Sequence, residues 1–151
     1  MPFPSECESN AYGPKVNRLT RDSGGAVAGC PSAAQDLAPL AVCTTLDALH
    51  VDTCRLTAFP LVVSTLPHLR VLGLGNNAIP SVPQQITELS ELSALDLRNN
   101  NLTAVLPQLA LLPLRSLLVE GNMLRTLRRS VLDAGTPALL DYLRSRLPLA
   151  P

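Results

Sequence analysis

The chain has 151 residues, enough for one domain with a substantial hydrophobic core. Its 12 basic and 12 acidic side chains give a net charge of zero, so the chain as a whole has no field that would attract nucleic acid or an anionic membrane. No apolar run approaches the ~18 residues of a membrane-spanning helix. We therefore expect no nucleic-acid partner and no membrane span.

The first part of the chain has no regular hydrophobic pattern. Residues 1–32 are rich in Gly, Ser and Pro, which predicts a poorly ordered tail. The stretch "SAAQDLAPLAVC" that follows is interpreted as a possible N-terminal capping helix over residues 33–45. The alternative is that it is the return segment of a lost repeat.

The cysteines are even in number but do not indicate secretion. The four are Cys7, Cys30, Cys43 and Cys54, and the opening "MPFPSECESN" lacks the apolar segment of a secretory signal. This predicts reduced thiols and a cytoplasmic location. The sequence Asn101-Leu102-Thr103 has the N-glycosylation pattern, which in that compartment is an accident of the repeat.

Leucine, at 31 of the 151 residues, is periodic. Segments that begin at Leu46, Leu69, Leu92 and Leu114, with starts 23, 23 and 22 residues apart, share the frame L-x-x-L-x-L-x-x-N-x-L. Four copies in one register indicate an internal repeat over residues 46–127.

Each repeat predicts a strand, a turn and an irregular return. Apolar residues alternate at the fourth and sixth positions, as in a strand with one buried face. The ninth position holds Asn77, Asn100 and Asn122, whose amides can satisfy buried backbone groups of neighbouring turns, and Cys54 in the first repeat. The prolines that follow favour a short 3₁₀ segment over a full helix. The predicted fold is an α/β solenoid with short parallel strands on its concave face.

The sequence "GLGNNA" could instead be a dinucleotide-binding turn of the Gly-x-Gly-x-x-Ala type. In the repeat frame, however, Gly73 and Gly75 occupy the positions of His50 and Asp52 one repeat earlier, so these positions are interpreted as variable. The prolines after this stretch also disfavour the helix that a pyrophosphate loop would open. We therefore predict no nucleotide cofactor.

These motifs resemble a leucine-rich repeat protein of the short intracellular class. The return "VPQQITELSEL" is the clearest match to the L-P-x-x-L-x-x-L pattern of that class. The third repeat departs from the pattern, with one extra residue before Pro107 and two fewer after it. The resemblance implies binding of another macromolecule on the concave face of the solenoid.

Residues 128–151 predict a C-terminal helical cap. Ser130 with Asp133 is interpreted as a capping box on a short helical turn, and Thr136 as the N-cap of a helix that runs to about Arg146. Residues 119–148 are similar to the end of the leucine-rich repeat-containing protein 40 family. A similar cap precedes the GTPase domain of Roco proteins, so the motif identifies a way of ending a repeat array.

Two groups of residues are candidates for binding. The first is the predicted concave face, where small, acidic and apolar residues suit a protein partner better than nucleic acid: His50, Asp52, Val71, Gly73, Gly75, Asp96, Arg98, Ser116, Leu118 and Glu120. The second is a basic patch on the cap, interpreted as solvated surface or as a site for a phosphate or an acidic partner: Arg125, Arg128, Arg129, Arg144 and Arg146.

No group of residues predicts catalysis or a metal site. Cys43, His50 and Cys54 are close in sequence, but the frame directs His50 outward and Cys54 into the core. The hypothesis is therefore a non-enzymatic interaction module or scaffold without a cofactor. The alternatives are a repeat segment of a Roco-type GTPase, although no Gly-x-x-x-x-Gly-Lys-[Ser/Thr] motif occurs, and a partial gene product without a partner.

Overall fold

The computed structural model describes residues 17–21, 26–30, 40–41 and 46–148. Six strands form one sheet in chain order: β1 (Asn17–Arg21), β2 (Ala26–Cys30), β3 (Ala48–His50), β4 (Val71–Gly73), β5 (Ala94–Asp96) and β6 (Ser116–Leu118). Strands β2 to β6 are parallel, and β1 pairs antiparallel with β2. Two helices follow, α1 (Arg129–Asp133) and α2 (Thr136–Ser145).

The repeat frame sets the register of the parallel strands. Leu49, Leu72, Leu95 and Leu117, all at the fourth position, are direct partners across β3 to β6. Each is at most 2% exposed. Because side chains alternate along a strand, the residues on either side of these leucines face away from the core. The predicted solenoid with its parallel sheet is therefore confirmed.

The turns after the strands are held by the predicted asparagines. Oδ1 of Asn77 accepts the backbone N–H groups of Cys54 (2.9 Å) and Leu56 (3.0 Å), both in the preceding repeat. Its Nδ2 donates to the carbonyl oxygens of Val51 and Leu74, each at 2.9 Å. Asn100 and Asn122 make corresponding bonds in the next two repeats. The amides thus satisfy buried backbone groups that no strand partner reaches.

Within residues 46–148, the convex side has three short 3₁₀ helices, at Leu61–Thr65, Gln84–Glu88 and Pro107–Leu111. Each has five residues, and the first two follow directly on a proline. The third begins at Pro107 itself, so the irregular spacing of the third repeat shifts the proline without abolishing the 3₁₀ return. The prediction of short 3₁₀ segments is correct.

The hairpin of β1 and β2 lies in the segment for which the sequence predicts a poorly ordered tail. Residues 26–28 of β2 pair in parallel with residues 48–50 of β3, which extends the sheet beyond the first repeat. An edge strand offers free backbone N–H and C=O groups, and pairing with a neighbouring segment satisfies them without any leucine pattern. Of the predicted capping helix over residues 33–45, only residues 40 and 41 are described, and Leu40 is fully buried.

The C-terminal cap closes the other end of the sheet, with different capping contacts from those predicted. The N-cap residues are Arg128 for α1 and Gly135 for α2, so the assignment of Ser130 and Thr136 to capping roles is wrong. The hydroxyl of Thr136 instead accepts the N–H of Leu117 at 3.0 Å and lies 3.3 Å from its carbonyl oxygen. The hydroxyl therefore binds the free edge of β6, where it satisfies backbone N–H and C=O groups that would otherwise need a seventh strand as partner.

Candidate functional site

The concave face is formed by the strand residues that alternate with the buried leucines. Of the ten residues predicted there, eight are at least partly accessible: His50, Asp52, Val71, Asp96, Arg98, Ser116, Leu118 and Glu120. Gly73 and Gly75 are buried beneath their neighbours. The structure therefore brings the predicted residues together on one surface across four repeats.

Gly73 and Gly75 lie beneath side chains of the preceding repeat. The carboxylate of Asp52 accepts the N–H of Gly75 at 2.7 Å. A Cβ atom on Gly73 would lie 2.8 Å from Oδ2 of Asp52 and 2.8 Å from Nδ1 of His50, closer than carbon atoms approach such groups in proteins. A side chain at position 73 would therefore displace the ends of Asp52 and His50, which the glycine lets fold onto the sheet, and the interpretation of these positions as variable stays a prediction.

Asp96 and Arg98 form an ion pair within the third repeat. Nη2 of Arg98 lies 2.7 Å from Oδ2 of Asp96, its Nε lies 3.0 Å from Oδ1, and its backbone N–H donates to Oδ1 at 3.0 Å. Partial burial acts to raise the pKa of Asp96, but the side-chain and backbone hydrogen bonds from Arg98 outweigh it, so the pKa lies below its usual value. The pair also raises the pKa of Arg98.

A shallow depression of about 120 Å³ lies at the centre of this face. Its floor is the backbone around Gly73, and its walls include Asp52, Asp96, Val71 and Leu118. The carboxylate oxygens of Asp52 and Asp96 come within 3.1 and 3.4 Å of the point above Gly75 where a Cβ would lie. The depression thus combines an apolar wall with two carboxylates, from the first and third repeats, that converge over the second.

The predicted basic patch on the cap is divided by local contacts. Nη1 of Arg144 lies 2.9 Å from Oδ1 of Asp141, and the guanidinium of Arg146 lies 5.2 Å from the ring centre of Tyr142. Arg125, Arg128 and Arg129 are exposed and make no ion pair within residues 46–148. Of the five arginines of the predicted patch, these three therefore remain available as a cationic surface.

A further charged cluster, outside the two predicted groups of residues, lies where the chain enters the strands. Glu91 accepts from Nε of Arg70 at 3.2 Å and contacts Nδ1 of His68 at 2.9 Å. Hydrogen bonds from His68 and then Arg70 lower the pKa of Glu91. His68 and Glu91 are 23 residues apart, so the repeat period itself was the signal that could have paired them.

Cys54 differs from the expected reduced thiol, because it is disulfide-bonded. It remains at the ninth position and is 7% exposed, so its predicted place in the core is correct.

Among the described residues, no three His, Cys, Asp or Glu side chains are grouped closely enough to hold a metal ion. Within the same residues, no helix has the length and apolar character needed to cross a bilayer.

Comparisons with known proteins agree with this geometry. A leucine-rich repeat family model matches residues 44–102. Chaoptin of Drosophila melanogaster is 37% identical over 87 residues, which make up 56% of this chain and 6% of chaoptin.

Two solved structures with similar folds come from bacteria. A leucine-rich repeat protein of Leptospira interrogans superposes with a TM-score of 0.55 at 25% identity, over 68% of this chain and 24% of that one. An internalin of Listeria monocytogenes gives a TM-score of 0.55 at 28% identity, over 64% of this chain and 28% of that one. The parallel register, the asparagine ladder of Asn77, Asn100 and Asn122, and these matches together show that the chain has a leucine-rich repeat fold.

Proposed function

We propose that this chain is a non-enzymatic protein-interaction module whose concave face binds a protein partner. The observation that carries the proposal is the central depression, where an apolar wall adjoins two carboxylates on a rigid sheet. Solenoids of this kind commonly use the concave surface for extended contacts. The similarity of residues 119–148 to the leucine-rich repeat-containing protein 40 family is part of the same hypothesis.

The charges on this face favour a partner that presents a basic side chain. Asp52, Asp96 and Glu120 contribute three carboxylates, whereas Arg98 is the one guanidinium among the predicted concave residues. Carboxylates therefore outnumber guanidiniums among these residues, and Arg98 is already paired with Asp96. Opposite charge across an interface increases association rates and selects among partners.

The test is the double variant Asp96→Lys with Arg98→Glu. Because the two side chains contact each other, the exchange keeps an ion pair but reverses the charge presented at each position. We expect recovery of partners by proximity labelling to fall at least ten-fold, while circular dichroism and the melting temperature stay nearly unchanged.

The matched control is Arg128→Glu with Arg129→Glu, two exposed charges on the cap. A photo-crosslinking residue at Ser116 and another at Arg129 give an independent measurement of which surface the partner touches. If the cap variant loses the partner and the concave variant keeps it, the concave-face proposal fails and the arginine patch replaces it.

A further inference from the structure

One asparagine stands apart from the others in residues 46–148. Asn77, Asn100 and Asn122 hold the turns, and Asn76 is joined to Asn99 by a side-chain hydrogen bond of 2.9 Å. The sixth, Asn101, is exposed, and its side-chain amide makes no hydrogen bond within this part of the chain. Hydrogen bonds within the fold therefore explain five of the six side-chain amides, but not that of Asn101.

Asn101 is also the asparagine that begins an N-x-Thr sequence. Thr103 is exposed as well, whereas Leu102 between them is fully buried and anchors the segment to the core. The segment lies after β5 and before the 3₁₀ helix at Pro107–Leu111, outside any helix or strand. Both groups that a glycosylating enzyme must reach, the Asn amide and the Thr hydroxyl, are thus on an accessible turn.

The disulfide at Cys54 supplies the second observation. Structural disulfides persist in the secretory pathway and outside the cell and are rare in the cytosol. N-linked glycans are added in that same oxidising pathway. The disulfide therefore favours a compartment in which Asn101 can be glycosylated over the cytoplasmic location expected from the sequence.

We propose that Asn101 is an N-glycosylation site and that the chain matures in an oxidising compartment. The donor is an oligosaccharide carried on a lipid pyrophosphate. A bond forms between the Asn101 amide nitrogen and the anomeric carbon of the sugar, and the carbon–oxygen bond to the pyrophosphate breaks. The lipid pyrophosphate leaves and the amide loses one proton, so no oxidant or reductant is consumed.

The position of Asn101 makes this modification compatible with binding on the concave face. It is the tenth residue of its repeat, beyond the strand positions that form that face. The tenth residue of the next repeat is Met123, whose side chain is 59% exposed. A glycan on Asn101 would lie beside this exposed apolar side chain and shield it from water and from other chains.

The experiment expresses the full chain behind a secretory leader in eukaryotic cells. We expect a mobility shift that peptide N-glycosidase F removes, and that Asn101→Gln and Thr103→Ala both abolish. Thr103→Ser keeps the acceptor sequence and is the matched control that retains the shift. Because the Asn101 amide carries no structural bond, the melting temperature of Asn101→Gln should equal that of the parent.

A second arm examines the chain isolated from its natural source. Trypsin cleaves after Arg98 and Arg115, which releases a peptide with Asn99, Asn100 and Asn101. Deglycosylation in ¹⁸O-labelled water should convert only Asn101 to labelled Asp. A folded, secreted chain without the shift, or natural material with an unconverted Asn101, overturns the proposal.

Discussion

The substitution Asn100→Asp tests whether the asparagine ladder stabilises the solenoid. Asn100 is 5% exposed, and its Oδ1 accepts the N–H of Ile79 at 3.1 Å. Its Nδ2 donates to the carbonyl oxygens of Leu74 and Leu97 at 2.9 and 3.0 Å. In the variant an oxygen replaces this donor, so a buried carboxylate would face the carbonyl oxygens of Leu74, Leu97 and Arg98.

The expected loss of unfolding free energy at neutral pH is about 3 kcal/mol. Burial among acceptors should raise the pKa of the new carboxyl by roughly two units above its unfolded value, at about 1.36 kcal/mol for each unit. A group whose pKa is raised on folding loses stability only as it ionises. This part of the penalty is therefore absent below the unfolded pKa of about 3.9, grows as the pH rises to the folded pKa, and is constant above it.

Urea unfolding followed by circular dichroism between pH 3.5 and 7 measures this difference against the parent chain. The matched control is Asn101→Asp, which makes the same chemical change at the adjacent, exposed residue. We expect the control to lose less than about 0.5 kcal/mol at every pH. If Asn100→Asp behaves like the control, or if its loss does not diminish in acid, the ladder does not contribute as argued.

The remaining predictions concern the core and the concave ion pair. Leu95 is 1% exposed on β5, so Leu95→Ala should cost about 2–5 kcal/mol in urea unfolding, whereas Leu111→Ala, at a side chain 66% exposed, should change stability by less than about 0.5 kcal/mol. Equal losses would contradict the register. Arg98→Met should raise the pKa of Asp96, measured by NMR titration of its carboxyl. The lowered pKa of Asp96 stabilises the fold at pH values above the pKa of Asp96 in the unfolded chain, and this stabilisation is lost as the pH falls through the pKa in the folded chain. The variant should therefore lose less unfolding free energy than the parent when the pH is lowered.

The strands and turns could be predicted because four repeats carry the same residue pattern in one register. Leu95 and Asn100 are identified by position in the frame, and their burial follows from strand alternation and from the backbone groups that each turn leaves unpaired. The Asp96–Arg98 ion pair could also have been predicted, since residues two apart along a strand share a face. Sequence periodicity is informative here because the fold is itself periodic.

Features that do not recur from one repeat to the next could not be predicted from the sequence periodicity. The hairpin of β1 and β2 pairs through backbone groups, which leave no leucine pattern. Thr136 has the sequence context of an N-cap, yet its hydroxyl binds Leu117 of the last strand, a tertiary contact 19 residues away. The close approach of Asp52 to Gly73 depends on how the Asp52 side chain folds across the sheet, which no single repeat specifies.

The disulfide at Cys54 connects the two proposals, because it affects where the partner must be sought. If the chain matures in an oxidising compartment, a partner recovered from reduced cytosolic extract would never have met the concave face in the cell. Glycosylation and binding nevertheless depend on different residues: Asn101 lies beyond the strands, whereas Asp96 and Arg98 lie at the end of one. Loss of the glycan in Asn101→Gln should leave partner recovery intact, and charge reversal at Asp96 and Arg98 should leave the glycan in place. Each proposal can therefore fail while the other stands.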